Sequence, residues 1–140
     1  MSRGRCGGWC LVRDDGRVIG IQELSGKEFA IIREVSTGSW LGIAHQGQGY
    51  GTEMRCAVLL LAFDHLNATI ARSGAFADNP ASLRLSEKLG YRTDGANTCA
   101  RRGTAATEIR LVLEPSHFVR PKWTLRVDGL AGCRQMLGAS

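Results

Sequence analysis

The chain of 140 residues has the length of one domain, and its 44% apolar and 22% charged residues are ordinary for a globular protein. Its longest apolar run, Cys56–Phe63, is too short to span a bilayer, and no signal peptide is visible, so we expect a cytoplasmic protein without membrane contact. The net charge of +5 fits a phosphorylated partner, but no basic block or aromatic-basic alternation favours nucleic acid.

The first predicted elements are the strands of a hairpin. Asp-Gly is a strong tight-turn dipeptide, and Asp14-Asp15-Gly16 separates Trp9–Arg13 from Arg17–Gln22. Beyond the hairpin we expect a loop over Ser25–Glu28, an extension of the sheet over Phe29–Ile32 and a strand over Val35–Leu41.

A long apolar helix is predicted next, over Tyr50–Leu66, because its apolar residues recur at helical spacing. Thr69–Ala77 then has the composition of a strand. A short helix follows, with Asn79 as its N-cap, Pro80 at its first position and Gly90 just after its end.

The last predicted strands are Tyr91–Cys99 and Thr107–Leu113, joined by a turn at residues 101–103. In the tail we expect a strand over Trp123–Val127 and a short helix from Asp128 to Leu137. This order of elements predicts a mixed α/β (α+β) sheet domain over residues 1–115, with residues 116–140 as an extension packed on it.

The five cysteines do not predict a disulfide framework, since their number is odd and their spacing irregular. Cys6 and Cys10 form a pair without a second Cys or His pair at a zinc-site spacing. We therefore expect reduced thiols and no metal.

The most informative segment is the glycine-rich loop between the strand Val35–Leu41 and the long helix. Three glycines at alternate positions (47, 49 and 51) at a helix N-terminus suit a bound pyrophosphate. A Walker loop is excluded because no lysine precedes Thr52, and a dinucleotide fingerprint because Met54 stands where the third glycine belongs. The alternative is a glycine-rich connection without a ligand.

Two motifs in this order resemble the GNAT N-acetyltransferases. Gln46-x-x-Gly49-x-Gly51 is similar to their acetyl-CoA pyrophosphate loop, and the flanks Trp40-Leu41-Gly42 and Thr52-Glu53 resemble the RimJ/RimL-like branch. Asn79-Pro80-Ala81-Ser82 followed by Glu87-Lys88-Leu89-Gly90-Tyr91 is similar to the second block of that branch. The resemblance covers about residues 9–113. It implies a mostly antiparallel central sheet flanked by helices.

The resemblance also implies a function and a set of site residues. The expected activity is acyl-CoA-dependent transfer of an acetyl group to a primary amine, either of a protein N-terminus or of a small molecule. The strand before the loop is expected to splay from its neighbour, with Trp40 and Leu41 nearest the thioester carbonyl. Asn79 would contact the pantetheine arm, and Ser82 would protonate the leaving thiolate. The expected cofactor-binding residues are Trp40, Leu41, Gln46, Gly47, Gln48, Gly49, Tyr50, Gly51, Thr52, Asn79 and Ser82.

The general base and the acceptor stay open at this point. Glu23, Glu34 and Glu108 are alternatives for the base, but the pattern favours a surface carboxylate for each of them. A full-length member of the family carries a strand and two helices before the hairpin, so we expect an N-terminally truncated form of the fold with a partly missing acceptor wall. The alternatives are that a partner subunit supplies the wall, that the acceptor site is open, or that the chain is a non-catalytic acyl-CoA-binding module that acts through a partner subunit. A homodimer is a further expectation.

Overall fold

The computed structural model describes residues 5–14, 16–42 and 49–131. Six strands form one sheet in the order β1-β2-β3-β4-β6-β5, antiparallel except for the parallel pair β3–β4. The strands are β1 (Arg5–Asp14), β2 (Arg17–Lys27), β3 (Glu34–Leu41), β4 (Ile70–Phe76), β5 (Arg92–Arg101) and β6 (Thr104–Leu113). The predicted mixed and mostly antiparallel sheet is therefore confirmed.

Three α-helices connect these strands, namely α1 (Phe29–Ile32), α2 (Tyr50–Leu60) and α3 (Pro80–Leu89). α2 continues into a π-helical turn, Leu61–His65, and a 3₁₀ turn, Pro115–His117, follows β6. None of the helices in the described part of the chain is long and apolar enough to cross a membrane.

One face of the sheet carries the hydrophobic core. Leu24, Val35 and Leu113 on the strands pack with Leu59 and Phe63 of the α2 segment in one buried cluster. Because side chains alternate between the two faces of a strand, the residues between these apolar positions lie on the opposite face, which carries polar side chains such as Arg72 beside the buried Val112. This alternation explains why the helices cover only one side of the sheet.

The caps of α3 are confirmed. Asn79 accepts a hydrogen bond from the Ser82 backbone N–H at 3.2 Å, and Pro80 occupies the first turn. Gly90 ends the helix in the left-handed conformation (φ 108°), which a side chain disfavours.

The segment between β2 and β3 differs from the prediction. β2 continues through Lys27, so residues 25–27 are not a loop, and residues 29–32 form the short helix α1 instead of a strand. Only the Phe29 side chain of this apolar run enters the core, whereas Ile31 is 80% exposed. Left-handed backbone at Glu28 and Arg33 turns the chain at both ends of α1.

The tail also differs from the prediction, because no strand forms over residues 123–127. Phe118 packs on Phe63 with ring centroids 5.8 Å apart, and Leu125 and Leu130 pack against the core cluster. Phe118, Leu125 and Leu130 thus pack against the core, whereas Val119 and Trp123 stay exposed. The described part of the tail, residues 116–131, pairs with neither edge of the sheet. The backbone is helical at residues 130 and 131, and the rest of the predicted helix lies outside the described residues.

Candidate active site

The central feature of the site is a gap between the two parallel strands. β3 and β4 pair over only three residue pairs, ending at Ser36 and Arg72. Beyond this point β3 stays paired with β2 and β4 stays paired with β6, so the two strands part from each other. The splay that the sequence resemblance implied next to the glycine-rich loop is present in the fold.

The backbone groups that border the gap follow from the register of β3. The Thr37 carbonyl accepts a hydrogen bond from Ser73 Oγ of β4 at 3.5 Å, whereas the Gly42 N–H donates to β2 at 2.9 Å. Successive residues of a strand direct their backbone groups to opposite neighbours. The backbone groups of Ser39 and Leu41 therefore face the gap, and those of Trp40 face β2. The sequence motif did not single out Ser39, because this orientation depends on strand pairing.

Both parallel strands lead into helices that start at the same end of the gap. α2 follows β3 through the glycine-rich loop, and α3 follows β4. The two helices are close neighbours here, because a Cβ added to Gly51 would lie 3.8 Å from Leu85 Cδ2. Helix N-termini carry partial positive charge and favour anions, so this end of the gap suits a phosphorylated ligand.

The first turn of α2 begins at a glycine. Gly49 occupies the N-cap position with φ 86° and has no side chain that could cap the helix. Tyr50, Gly51 and Thr52 follow and are partly exposed. Gln46, Gly47 and Gln48, which the sequence also predicts to bind the pyrophosphate, lie outside the described residues.

Asn79 and Ser82 lie in the first turn of α3. The Asn79 side chain is exposed and acts as the helix cap, and Ser82 is partly exposed. The Ser82 backbone N–H donates to Asn79 Oδ1, so the Ser82 hydroxyl is not used by the cap. The two residues thus lie at the same end of the gap as the start of α2.

A network of charges joins the strands where the gap begins. Arg72 of β4 donates to Glu34 of β3 at 3.1 Å and to Asp94 of β5 at 3.0 Å. These bonds, first to Glu34 and then to Asp94, raise the pKa of the Arg72 guanidinium above its ordinary value. The network holds β3, β4 and β5 together at the closed end of the gap.

A pocket of about 360 Å³ opens on the polar face of the sheet, over the same gap. Its walls come from β2, β3, β4, β5 and β6, and they include Thr37 and Ser73, which line the gap itself. The gap therefore has two sides, with the helix N-termini on one and a polar pocket on the other. Among the described residues no group of His, Cys, Asp or Glu side chains is arranged to hold a metal ion.

Comparison with known proteins gives the family. The family model described as "Acetyltransferase (GNAT) domain" matches residues 1–92. The chain therefore belongs to the GNAT acetyltransferase family, and the resemblance seen in its sequence motifs is confirmed at this level. Its assignment to the RimJ/RimL-like branch stays a prediction.

Solved structures share the fold. A spermidine N-acetyltransferase from Vibrio cholerae in complex with CoA and spermine matches with a TM-score of 0.75 and 21% identity, over 82% of this chain and 69% of that one. A dodecameric form of the Vibrio cholerae enzyme matches at TM-score 0.74 and 22% identity, over 79% and 66% of the two chains. A protein described as a probable acetyltransferase matches at 0.74 and 19%, over 81% and 64%. At these identities the likeness concerns the fold.

Proposed function

We propose that the protein is an acyl-CoA-dependent N-acyltransferase that transfers an acetyl group from acetyl-CoA to a primary amine. The observation that carries this proposal is the gap between β3 and β4, which connects two helix N-termini on one side to a polar pocket on the other. Membership of the GNAT family supports the reaction type. Of the two acceptor classes that the sequence left open, the small pocket favours a small-molecule amine over a protein N-terminus.

The cofactor is proposed to bind along the helix side of the gap. Residues 46–52 would donate backbone N–H groups to the pyrophosphate, aided by the partial positive charge at the start of α2. Asn79 would contact the pantetheine arm, and Trp40 and Leu41 would lie closest to the thioester. The register of β3 adds Ser39 to this set, because its backbone groups face the gap.

The proposed reaction is a direct attack of the amine on the thioester. The nitrogen lone pair of a neutral amine attacks the thioester carbonyl carbon, a C–N bond forms, and the C–S bond breaks as CoA thiolate leaves. A backbone N–H from Ser39 or Leu41 would stabilise the developing oxyanion. The Ser82 hydroxyl would give a proton to the thiolate, and the proton lost by the amine would leave through a carboxylate or water at the pocket.

The direct test has two stages. Titration calorimetry with acetyl-CoA should show binding, and release of free thiol should then follow with at least one member of a panel of small amines and short peptides. Binding without CoA release across the panel would refute the enzyme and leave the acyl-CoA-binding module that the sequence also allowed. Absence of binding at millimolar acetyl-CoA would refute both. The homodimer predicted from the sequence stays a prediction, which sedimentation of the purified protein would check.

A further inference from the structure

A cluster of three buried polar residues lies between the helices, outside the cofactor gap. Arg55 belongs to α2, Ser86 belongs to α3, and both adjoin Tyr91, which follows α3. The Arg55 guanidinium carbon is 5.2 Å from the centroid of the Tyr91 ring, and the Ser86 carbonyl accepts the Tyr91 N–H at 3.1 Å. Arg55 and Tyr91 are each only 6% exposed, and Ser86 is 1% exposed. Two helices and the chain that enters β5 thus bring these polar side chains into the interior.

Each residue of the cluster has a polar atom without a hydrogen-bond partner. In the part of the chain that the structure describes, these atoms are Arg55 Nη2, Ser86 Oγ and Tyr91 OH. All three carry a hydrogen and can donate it, and a guanidinium group has no acceptor atom. Burial of a polar group is costly unless it forms a hydrogen bond. The cluster therefore lacks an acceptor.

The Arg55 guanidinium also lacks a counter-charge. None of the ion pairs among the described residues includes Arg55, and neither Glu53 of α2 nor Glu87 of α3 pairs with it. The face of the Tyr91 ring supplies a cation–π attraction, but this contact gives the Nη2 hydrogens no acceptor. A buried charge is normally held by an opposite charge and by hydrogen bonds.

The charges that act on this part of the interior are mostly positive. Cys56 follows Arg55 in α2, and burial raises the pKa of its thiol. Arg55 and Lys88 act to lower this pKa, whereas Glu53 acts to raise it. Two cations and one carboxylate thus act at the same place, and this balance favours an additional anion.

A cavity of about 500 Å³ borders the cluster at Tyr91. It lies between α3 and the strands β5 and β6, and its wall joins apolar side chains of α3 and β6 to Tyr91. Glu87 and Arg92, which are both exposed, also line it, so the cavity reaches the surface. Because Tyr91 belongs to the cavity wall and to the cluster, a small ligand that enters the cavity meets the cluster at this residue.

We propose that Arg55, Ser86 and Tyr91 bind a small oxyanion, either a carboxylate or a phosphate, at a site separate from the cofactor gap. An oxyanion carries several acceptor lone pairs around one charge, so it can accept hydrogen bonds from a guanidinium group and from hydroxyls together. A water molecule would accept a hydrogen bond but would leave the guanidinium charge unpaired. This site does not depend on acetyl transfer.

The test measures urea unfolding at increasing concentrations of sodium phosphate or sodium acetate, with sodium chloride at equal ionic strength as the reference. An anion that binds only the folded protein stabilises it, and at ten times its Kd the folding equilibrium constant rises about tenfold. The anion that saturates this effect at the lower concentration identifies the ligand as a phosphate or a carboxylate.

Three variants locate the effect. Arg55→Met removes the charge and keeps an apolar stem, so in chloride it should be at least as stable as the wild-type protein, and it should lose the response to the anion. Ser86→Ala and Tyr91→Phe each remove one hydroxyl and should raise the anion concentration at half-saturation by about tenfold or more. The start of α2 also suits a phosphate, but these two variants leave it and the charge of the protein unchanged.

Arg84→Met is the matched control, because it removes the same charge from the exposed surface of α3. Phosphate also stabilises proteins without binding to a site, but this general effect is the same in every variant. Equal anion stabilisation of the wild-type protein and Arg55→Met would therefore overturn the inference, and so would a wild-type protein on which neither anion has a saturable effect.

A second readout follows the amide N–H groups of Ser86 and Tyr91 in isotope-labelled protein during titration with the same two anions. We expect saturable shifts of both signals in the wild-type protein and in Arg84→Met, and their loss in Arg55→Met. Signals that do not move with either anion would refute the site. Neither experiment involves turnover, so failure of the proposed acetyl transfer would not change their outcome.

Discussion

Replacement of Gly51 with valine should separate cofactor binding from folding. Gly51 lies in the first turn of α2, and its backbone is outside the left-handed region, so valine meets no conformational strain there. A Cβ at this position would be in ordinary contact with Leu85, at 3.8 Å. Relative to alanine, the helix propensity of glycine is about 1 kcal/mol less favourable and that of valine is up to about 0.7 kcal/mol less favourable. The replacement of glycine by valine is therefore close to neutral for the stability of the helix. We expect the free energy of unfolding to change by less than about 0.5 kcal/mol.

The effect on acetyl-CoA should be much larger. The valine side chain would stand between the first-turn N–H groups of α2 and the pyrophosphate. Loss of one hydrogen bond to a charged group weakens binding by about 1.5–3 kcal/mol, or roughly 10- to 100-fold in Kd. Gly49→Val is a poorer test, because Gly49 has φ 86° and valine would strain the backbone itself.

The assay is titration calorimetry with acetyl-CoA, accompanied by thermal unfolding of each variant. Ala57→Val adds bulk further along the same helix and serves as the control, with unchanged affinity expected. If Gly51→Val binds acetyl-CoA as tightly as the wild-type protein, the start of α2 does not hold the pyrophosphate. The inference drawn from the glycine at the N-cap of this helix would then be refuted.

Three further predictions follow from single residues. Asn79→Asp keeps the oxygen that accepts the Ser82 N–H and caps α3, but it loses the amide donor, so stability should hold while acetyl-CoA affinity falls. Asn79→Ala should also lower the free energy of unfolding by about 1 kcal/mol, measured by urea denaturation. Equal acetyl-CoA affinity in wild type and Asn79→Asp would mean that Asn79 acts only as a helix cap. Gly90→Ala should destabilise the fold by more than about 2 kcal/mol, because Gly90 has a positive φ and the added Cβ would collide with the His117 carbonyl. An unchanged midpoint of urea unfolding would contradict this prediction. Burial raises the pKa of the Cys56 thiol above its ordinary value. The unfolded chain therefore loses the thiol proton first, and stability should fall as pH rises through the ordinary range of thiol titration. Urea titrations of wild type and Cys56→Ala between about pH 7 and pH 10 would measure this loss, and parallel curves would exclude it.

The elements that the sequence predicts correctly are those governed by local rules. Asp-Gly at residues 15 and 16 marks the first hairpin, and Asn79, Pro80 and Gly90 mark the ends of α3 through capping geometry that depends on neighbours in sequence. Their backbone requirements can be read without knowledge of the rest of the fold.

The failures arise where distant contacts decide. The sequence predicts a loop at Gly26, but this residue lies in a strand. A Cβ there would be 3.1 Å from the Glu34 carbonyl and from Phe29 Cβ, so the close approach requires glycine. The apolar run Phe29–Ile32 and the segment Trp123–Val127 have strand-like composition, yet the sheet offers them no partner in the described part of the chain. Composition alone does not reveal which edge of a sheet is available.

The residues of the candidate site also fall into those that local motifs predict and those that only the folded chain brings into place. The glycine-rich loop, Asn79 and Ser82 belong to compact motifs that the sequence displays. Ser39 gains its orientation from strand register, and Glu23 and Glu108 gain theirs from glycines on neighbouring strands that lie far away in sequence. From the sequence both glutamates are only alternatives for a base, because nothing local distinguishes them from surface carboxylates.

The most direct test of the account is the amide spectrum of isotope-labelled protein during a titration with CoA. If CoA enters the gap from the helix side, the largest shifts will fall on the N–H groups of Ser39 and Leu41 and on those of Gly49, Gly51 and Ser82. Shifts confined to the strands β5 and β6, with the gap and the starts of α2 and α3 unaffected, would contradict the cofactor site on which the proposed function depends.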